Sequence, residues 1–197
     1  MRLLPYGPGA VLAEFLSLNE VLSAADHWRR HPPVGALEFV PAARTILIRH
    51  DETFDRDTLQ VPVGEQVAPI SAALAEIDVH YDGDDLDTVA ATVGLDVEEV
   101  IRLHTSTTYT VAFCGFMPGF SYLVGLPPAL HLPRRATPRT RVPAGSVAIA
   151  SEFSAIYPRE SPGGWHLLGR TSAVMWNEDR EAPALLPPGT SVRFRPR

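Results

Sequence analysis

The sequence predicts an α+β protein in two parts: a small sandwich of the ferredoxin-like kind over residues 1–76, then a closed or nearly closed β-barrel over residues 77–197. Three observations predict it. Apolar runs in the first part follow the order strand, helix, strand, strand, helix. Most of the 19 prolines fall from Pro118 onward, which marks a turn-rich β region. Beyond Ala150, short apolar runs alternate with turns and show no strong helical period.

Ala10 to Leu16, after Gly7-Pro8-Gly9, reads as the first strand. Asn19 is the expected cap of the helix that follows, which places Val21, Leu22, Ala25 and Trp28 on one face. Arg29 and Arg30 suit the negative end of its dipole, and Pro32-Pro33 stops it. Gly35–Val40 and Thr45–Arg49 flank Pro41-Ala42-Ala43-Arg44 as a β-hairpin. Pro69 to Ile77 has helical spacing through Ile70, Ala73, Leu74 and Ile77, whereas Gln60 to Val67 reads as strand or linker.

The second part starts with a short strand, Ile77 to Tyr81. Asp84 begins a helix carrying Leu86, Val89, Ala90 and Val93, and Gly94 ends it. Asp96, with Glu99 three residues on, caps another helix whose apolar face holds Val97, Val100, Ile101 and Leu103. Carboxylates at helix starts fit the dipole, so these are read as structural rather than catalytic. After Ala150 the expected strands are Phe153–Tyr157, Trp165–Leu168, Ala173–Trp176 and Ser191–Phe194.

Charge and composition exclude several function classes. A formal net charge of −6 argues against a general nucleic-acid binder. All 17 basic residues are arginine, so a Walker A lysine, a Schiff-base lysine and a biotinyl-lysine are excluded on this sequence. Cys114 is the single cysteine, which rules out an intrachain disulfide and suits a cytoplasmic setting. The N-terminus lacks the apolar core of a signal peptide, and no run of eighteen apolar residues exists, so no membrane partner is expected.

The barrel is organised around Val111 to Ala150. Gly115, Pro118 and Gly119 punctuate a run of aromatics, which predicts a strand ending in a tight turn with Phe116, Phe120 and Tyr122 packed around it. Then come Arg134, Arg135, Arg139 and Arg141, spaced by prolines that keep the backbone extended. Guanidinium groups on a stiff segment beside an aromatic turn suit planar anions such as carboxylates, carbamates or phosphates. The alternative is a solvated loop paired with surface acids.

No catalytic residue is assigned. Ser121, Ser146 and Ser161 lie in turn-like contexts near no Gly-x-Ser-x-Gly elbow, and His104, His131 and His166 form no recognisable triad with them. Cys114, within an apolar run, reads as buried and inert rather than nucleophilic. The seven histidines show no ligand spacing, so no metal is expected. Gly163-Gly164 either presents backbone N–H groups to an oxyanion or turns the chain, and Tyr157 and Trp165 either wall a pocket or fill the barrel.

Four ordered motifs carry a resemblance. They are Gly115-Phe116-x-Pro118-Gly119-Phe120-x-Tyr122-Leu123, Pro133-Arg134-x-Ala136-Thr137-Pro138-Arg139-Thr140-Arg141-Val142-Pro143-Ala144-Gly145-Ser146-Val147, Ile156-Tyr157-Pro158-x-x-Ser161-Pro162-Gly163-Gly164-Trp165, and Gly169-Arg170-Thr171. Together they resemble the 5-oxoprolinase B-subunit family (PxpB), which also carries the names allophanate hydrolase subunit 1 and sporulation kinase inhibitor KipI. The resemblance spans essentially the whole chain and implies an N-terminal α+β domain with a C-terminal cyclophilin-like β-barrel. It implies two partners, a KipA-like protein of the C type (allophanate hydrolase subunit 2) and a protein of the A type. The assembly it implies opens 5-oxoproline to glutamate with ATP hydrolysis. ATP handling is expected on another subunit, so the isolated chain is expected to be inactive.

The same motifs supply the expected substrate-binding set. From the aromatic turn come Phe116, Pro118, Gly119 and Tyr122, and from the arginine segment Arg134, Arg139, Arg141 and Ser146. From the third motif come Tyr157, Ser161, Gly163 and Trp165. Met117, Ser121 and the bulky Ser151-Glu152-Phe153-Ser154-Ala155 depart from the family pattern and leave the substrate open. The alternatives are a non-catalytic histidine-kinase inhibitor of the KipI kind and, by fold analogy alone, a peptidyl-prolyl isomerase.

Overall fold

Residues 1–59 and 74–197 are described by the computed structural model. The chain divides into units Met1–Pro69 and Ile70–Arg197, each with its own hydrophobic core.

In the first unit, β1 (Arg2–Pro5), β2 (Ala10–Glu14), α1 (Leu18–Arg30), β3 (Ala36–Pro41) and β4 (Thr45–His50) build a four-stranded antiparallel sheet ordered β1-β2-β4-β3. Strand alternation places Val11, Ala13, Ile46 and Ile48 on the face that receives Val21, Ala24, Ala25 and Trp28 of α1. The helix is capped by Ser17 rather than Asn19. Its side chain accepts from the Glu20 N–H at 3.3 Å, while the Glu20 carboxylate accepts from the Leu16 N–H. A serine with glutamate three residues on satisfies more helix-start donors than an asparagine inside the first turn does. Strand β1 was not expected from the sequence: four residues ending in proline are too short to show a period.

The first described element of the second unit is β5 (Leu74–Val79): its Ile77–Val79 part falls in the expected strand, and its Leu74–Glu76 part in the stretch with helical spacing. Ile77 and Val79 are buried while Leu74 and Glu76 are exposed, a period of two that overrules the helical spacing. A boundary at residue 76 therefore falls inside this strand, and residues 74–76 go with the second unit. The rest of the expected helix and the segment Gln60–Val67 lie outside the described residues.

There follow α2 (Leu86–Val93), α3 (Val97–Thr105), β6 (Tyr109–Cys114), β7 (Ser121–Val124), β8 (Arg139–Val142), β9 (Ser146–Ala150), β10 (Phe153–Ile156), β11 (Ser161–Gly163), β12 (His166–Arg170) and β13 (Ser191–Pro196). Gly94 closes α2 at φ 72°, and Asp96 caps α3 by accepting from the Glu99 N–H at 2.7 Å, both as the sequence predicts. Ala173–Trp176 is not a strand. Met175 is buried as an anchor, and Trp176 makes one isolated bridge to Ala184.

Seven strands form one sheet, β12-β9-β10-β7-β6-β13-β5, antiparallel except where β13 meets β5, while β8 and β11 pair separately. The two ends of the sheet meet: His80 and Arg170 exchange both backbone hydrogen bonds, at 2.9 and 2.8 Å. The seam continues as Gly83 and Asp85 donate their N–H groups to the carbonyls of Leu168 and Leu167. A Cβ on Gly83 would overlap the backbone of Leu167 and Leu168 and lie 2.6 Å from the Gly169 nitrogen. Gly83→Ala is therefore expected to destabilise the protein by about 1–3 kcal/mol, since the colliding atoms are main chain and cannot rotate away. An unchanged unfolding midpoint in urea would show that the seam is looser than this.

Inside the barrel lies a polar chain centred on buried His104 and Ser154, with half-buried Tyr81 at one end. The His104 Nδ1 is 2.7 Å from the Tyr81 hydroxyl, and Nε2 is 3.0 Å from Ser154 Oγ. Ser154 Oγ donates to the Ala148 carbonyl, so it accepts from Nε2–H, and Nδ1 accepts from Tyr81. Burial depresses the His104 pKa to about 3, so the ring is neutral at pH 7. Among the described residues, no helix is long and apolar enough to cross a membrane.

Candidate anion site on the barrel

Between β6 and β7 the chain reverses in a tight turn: Gly115 N–H donates to the Phe120 carbonyl and Phe120 N–H to that of Met117. Phe116 adopts φ 68°, a left-handed conformation that costs a bulky residue about 1–3 kcal/mol. It leaves the Phe116 ring 61% exposed. Gly119, at φ 80°, is needed because a Cβ there would lie 2.8 Å from Trp176 Cβ. Pro118 is exposed at the tip.

Beneath the turn the aromatic side chains assemble around Phe120, which meets Phe116, Tyr122, Tyr157 and Trp165 edge-on at centroid distances of 5.1–5.6 Å. Phe120, Tyr157 and Trp165 are buried, and Tyr122 is half-buried and stacked on Phe113 at 4.4 Å. Tyr157 and Trp165 thus form the packed base of the cluster. A Cβ on Gly163 would overlap the Tyr157 phenol, so the glycine pair permits a close approach of the chain. Burial raises the pKa of both Tyr122 and Tyr157, offset only in part by the Trp165 main-chain hydrogen bond at Tyr157 and by the positive charge of Arg134 at each.

The four arginines fare differently. Arg139 grips Asp85 bidentately, with both contacts at 2.8 Å, and Arg135 donates to the same carboxylate. Asp85 is only 2% exposed and also accepts from the Leu167 N–H at 2.8 Å. Burial alone would raise its pKa; the Arg139 contact, the Leu167 N–H and the two guanidinium charges outweigh that and hold it below the usual carboxylate range. Arg141 pairs with Glu160 at 2.6 Å on the open surface. Arg134 is exposed and, among the described residues, makes no ion pair and no side-chain hydrogen bond.

Other expected site residues take structural positions. Ser146 Oγ donates to the Pro143 carbonyl, and Ser121 Oγ to that of Leu186. Among the described residues Ser161 Oγ is buried without a partner, as is the Nδ1 of His166, whose Nε2 binds the Pro133 carbonyl. Burial raises the Cys114 pKa, and Ser121 offsets it only in part, so the thiol stays protonated. Asp85 is the polar residue that sequence reasoning missed. Its local context reads as a helix start, and its arginine partners lie 50 and 54 residues away.

A family model described as the carboxyltransferase domain, subdomain C and D, matches residues 1–186. The chain is 44% identical over 160 residues to the B subunit of 5-oxoprolinase from Escherichia coli O157:H7, spanning 77% of this chain and 73% of that one. It is 34% identical over 194 residues to the 5-oxoprolinase B subunit of Bacillus subtilis (strain 168), covering 88% and 81%. The crystal structure of TTHA0988 superposes with a TM-score of 0.79 at 38% identity. That match covers 96% of this chain and 40% of TTHA0988, so the chain spans about two fifths of it.

Proposed function

We propose, for a chain that belongs to the 5-oxoprolinase B-subunit family, that it orients the substrate within an ATP-dependent hydrolase complex acting on 5-oxoproline or a similar small lactam or amide. One observation carries the reading: among the described residues, Arg134 alone of four clustered guanidinium groups lacks a carboxylate partner, and its segment adjoins the aromatic cluster, since the Arg135 N–H donates to the Gly164 carbonyl next to Trp165. A planar fork binds a substrate carboxylate through two parallel hydrogen bonds, while a flat lactam ring packs on an aromatic face. Cys114 is protonated and the Ser121 and Ser146 hydroxyls donate to main-chain carbonyls, so the chain's own contribution is binding and orientation.

ATP does not fit this site. A triphosphate needs several free cations, and Arg135, Arg139 and Arg141 are already engaged by Asp84, Asp85 and Glu160. We assign nucleotide binding to a partner, either the KipA-like protein of the C type or the protein of the A type. The lone cysteine and acidic charge suit a cytoplasmic assembly. We further read the seven-stranded sheet as cyclophilin-like. The β2-β4-β3 order in the first unit keeps a ferredoxin-like core, with β1 added at its edge.

Co-expression with C-type and A-type partners, followed by assay of glutamate released from 5-oxoproline and ATP, tests the reading. The assembled complex is expected to turn over and the isolated chain to release none. No turnover by the complex, or glutamate made by the chain alone, would overturn it.

A further inference from the structure

We infer that Asp85 is a positioning residue for Arg134, tying the loop that carries it to the seam of the barrel; this rests on the substrate-site reading above. The loop has no hydrophobic anchor, since no residue from Pro133 to Arg141 is buried. A segment with so little apolar contact opens readily unless polar ties hold it. Its ties are polar: Arg135 N–H to the Gly164 carbonyl at 2.8 Å, His166 to the Pro133 carbonyl at 2.9 Å, the Arg135 and Arg139 guanidiniums on Asp85 and, at its far end, the β8–β11 pairing that sets Arg139 opposite Gly163. Arg134 lies between two of these anchored residues.

Asp85 is itself fixed from behind. Its N–H donates to the Leu167 carbonyl and its Oδ2 accepts from the Leu167 N–H, so it is clamped to β12 by main chain and side chain together. One buried carboxylate thus joins barrel closure to the arginine loop. In Asp85→Asn the amide can still accept from Leu167, but its NH2 group would confront guanidinium donors, and the two arginines would repel each other. The stretch from Pro133 to Pro138 would loosen while β8 stays paired to β11, and Arg134 would lose the position that the ties on either side of it set.

The test uses the reconstituted complex, with 5-oxoproline as the varied substrate and glutamate release as readout. Asp85→Asn is expected to raise KM about tenfold with kcat changed less than threefold, the signature of lost substrate binding. Combined with Arg134→Ala it should add nothing further, because both changes remove the same contact. Arg135→Ala, which leaves Asp85 neutralised by Arg139, should raise KM several-fold and serves where the asparagine variant fails to assemble. Ser154→Ala, a core change in the same unit, should lower stability and leave KM as it was. Wild-type KM in Arg134→Ala would overturn the substrate-site reading. A raised KM there with wild-type values in Asp85→Asn and Arg135→Ala, or additive effects in the double variant, would overturn the positioning role alone.

Discussion

Arg134→Ala in the assembled complex is expected to lower kcat/KM for 5-oxoproline about ten- to a hundredfold, mostly through KM. Losing a charge-assisted, two-pronged contact costs about 1.5–3 kcal/mol. Because Arg134 is exposed and makes no ion pair among the described residues, its removal should leave the melting temperature unchanged. Arg134→Lys keeps the charge but loses the fork, so it should recover only part of the activity. Arg141→Lys is the contrasting case: its partner Glu160 is exposed too, and such pairs contribute about 0–1 kcal/mol. Less than a twofold change is expected there. Full turnover in both Arg134 variants would remove the anion site from the barrel.

Stability is expected to fall by about 2 kcal/mol between pH 7 and pH 5, and His104 is the cause. Its folded pKa is depressed to about 3, whereas an unfolded histidine titrates near about 6.5. Between those values the unfolded chain binds the proton and the folded chain does not, so stability rises with pH, at about 1.4 kcal/mol per unit. The contribution is complete above the unfolded value and is lost progressively as pH falls toward 3. Asp85, whose pKa is also lowered, acts with the same sign in a more acidic window: its contribution is complete above the ordinary aspartate value, about 3.9, and fades only in stronger acid. Urea unfolding at pH 5, 6 and 7 measures the slope, and a His104→Gln variant should flatten it. His104→Ala should cost about 3–5 kcal/mol at pH 7, from the cavity left by a buried ring and from the half-buried Tyr81 hydroxyl left without its acceptor. A wild-type stability that stays level from pH 7 to 5 would mean the ring is not held neutral in the fold.

Features whose causes lie within a few residues are legible in the chain before it folds. Gly94 ends α2 because a left-handed residue costs glycine nothing, and Asp96 with Glu99 starts α3 because side chain and N–H lie three positions apart. The β3–β4 hairpin, the turn at Gly115–Phe120 and the four motifs that placed the chain in its family are legible on the same ground. Elsewhere a distant partner overrules the local pattern. Leu74–Glu76 falls in a stretch with helical spacing, yet it is held in strand β5 by pairing with Ser191–Arg193, more than a hundred residues away. The arginine cluster shows the same divide. Its sequence establishes four guanidiniums on a stiff segment, but which of them stays open to an anion depends on where carboxylates arrive from elsewhere. Asp85 reaches Arg135 and Arg139 because the barrel closes at His80 and Arg170 and brings residues 83–85 against β12, and Arg134 is left without a counter-charge among the described residues. Charge pairing depends on distance in space, and it is the closed barrel that sets that distance.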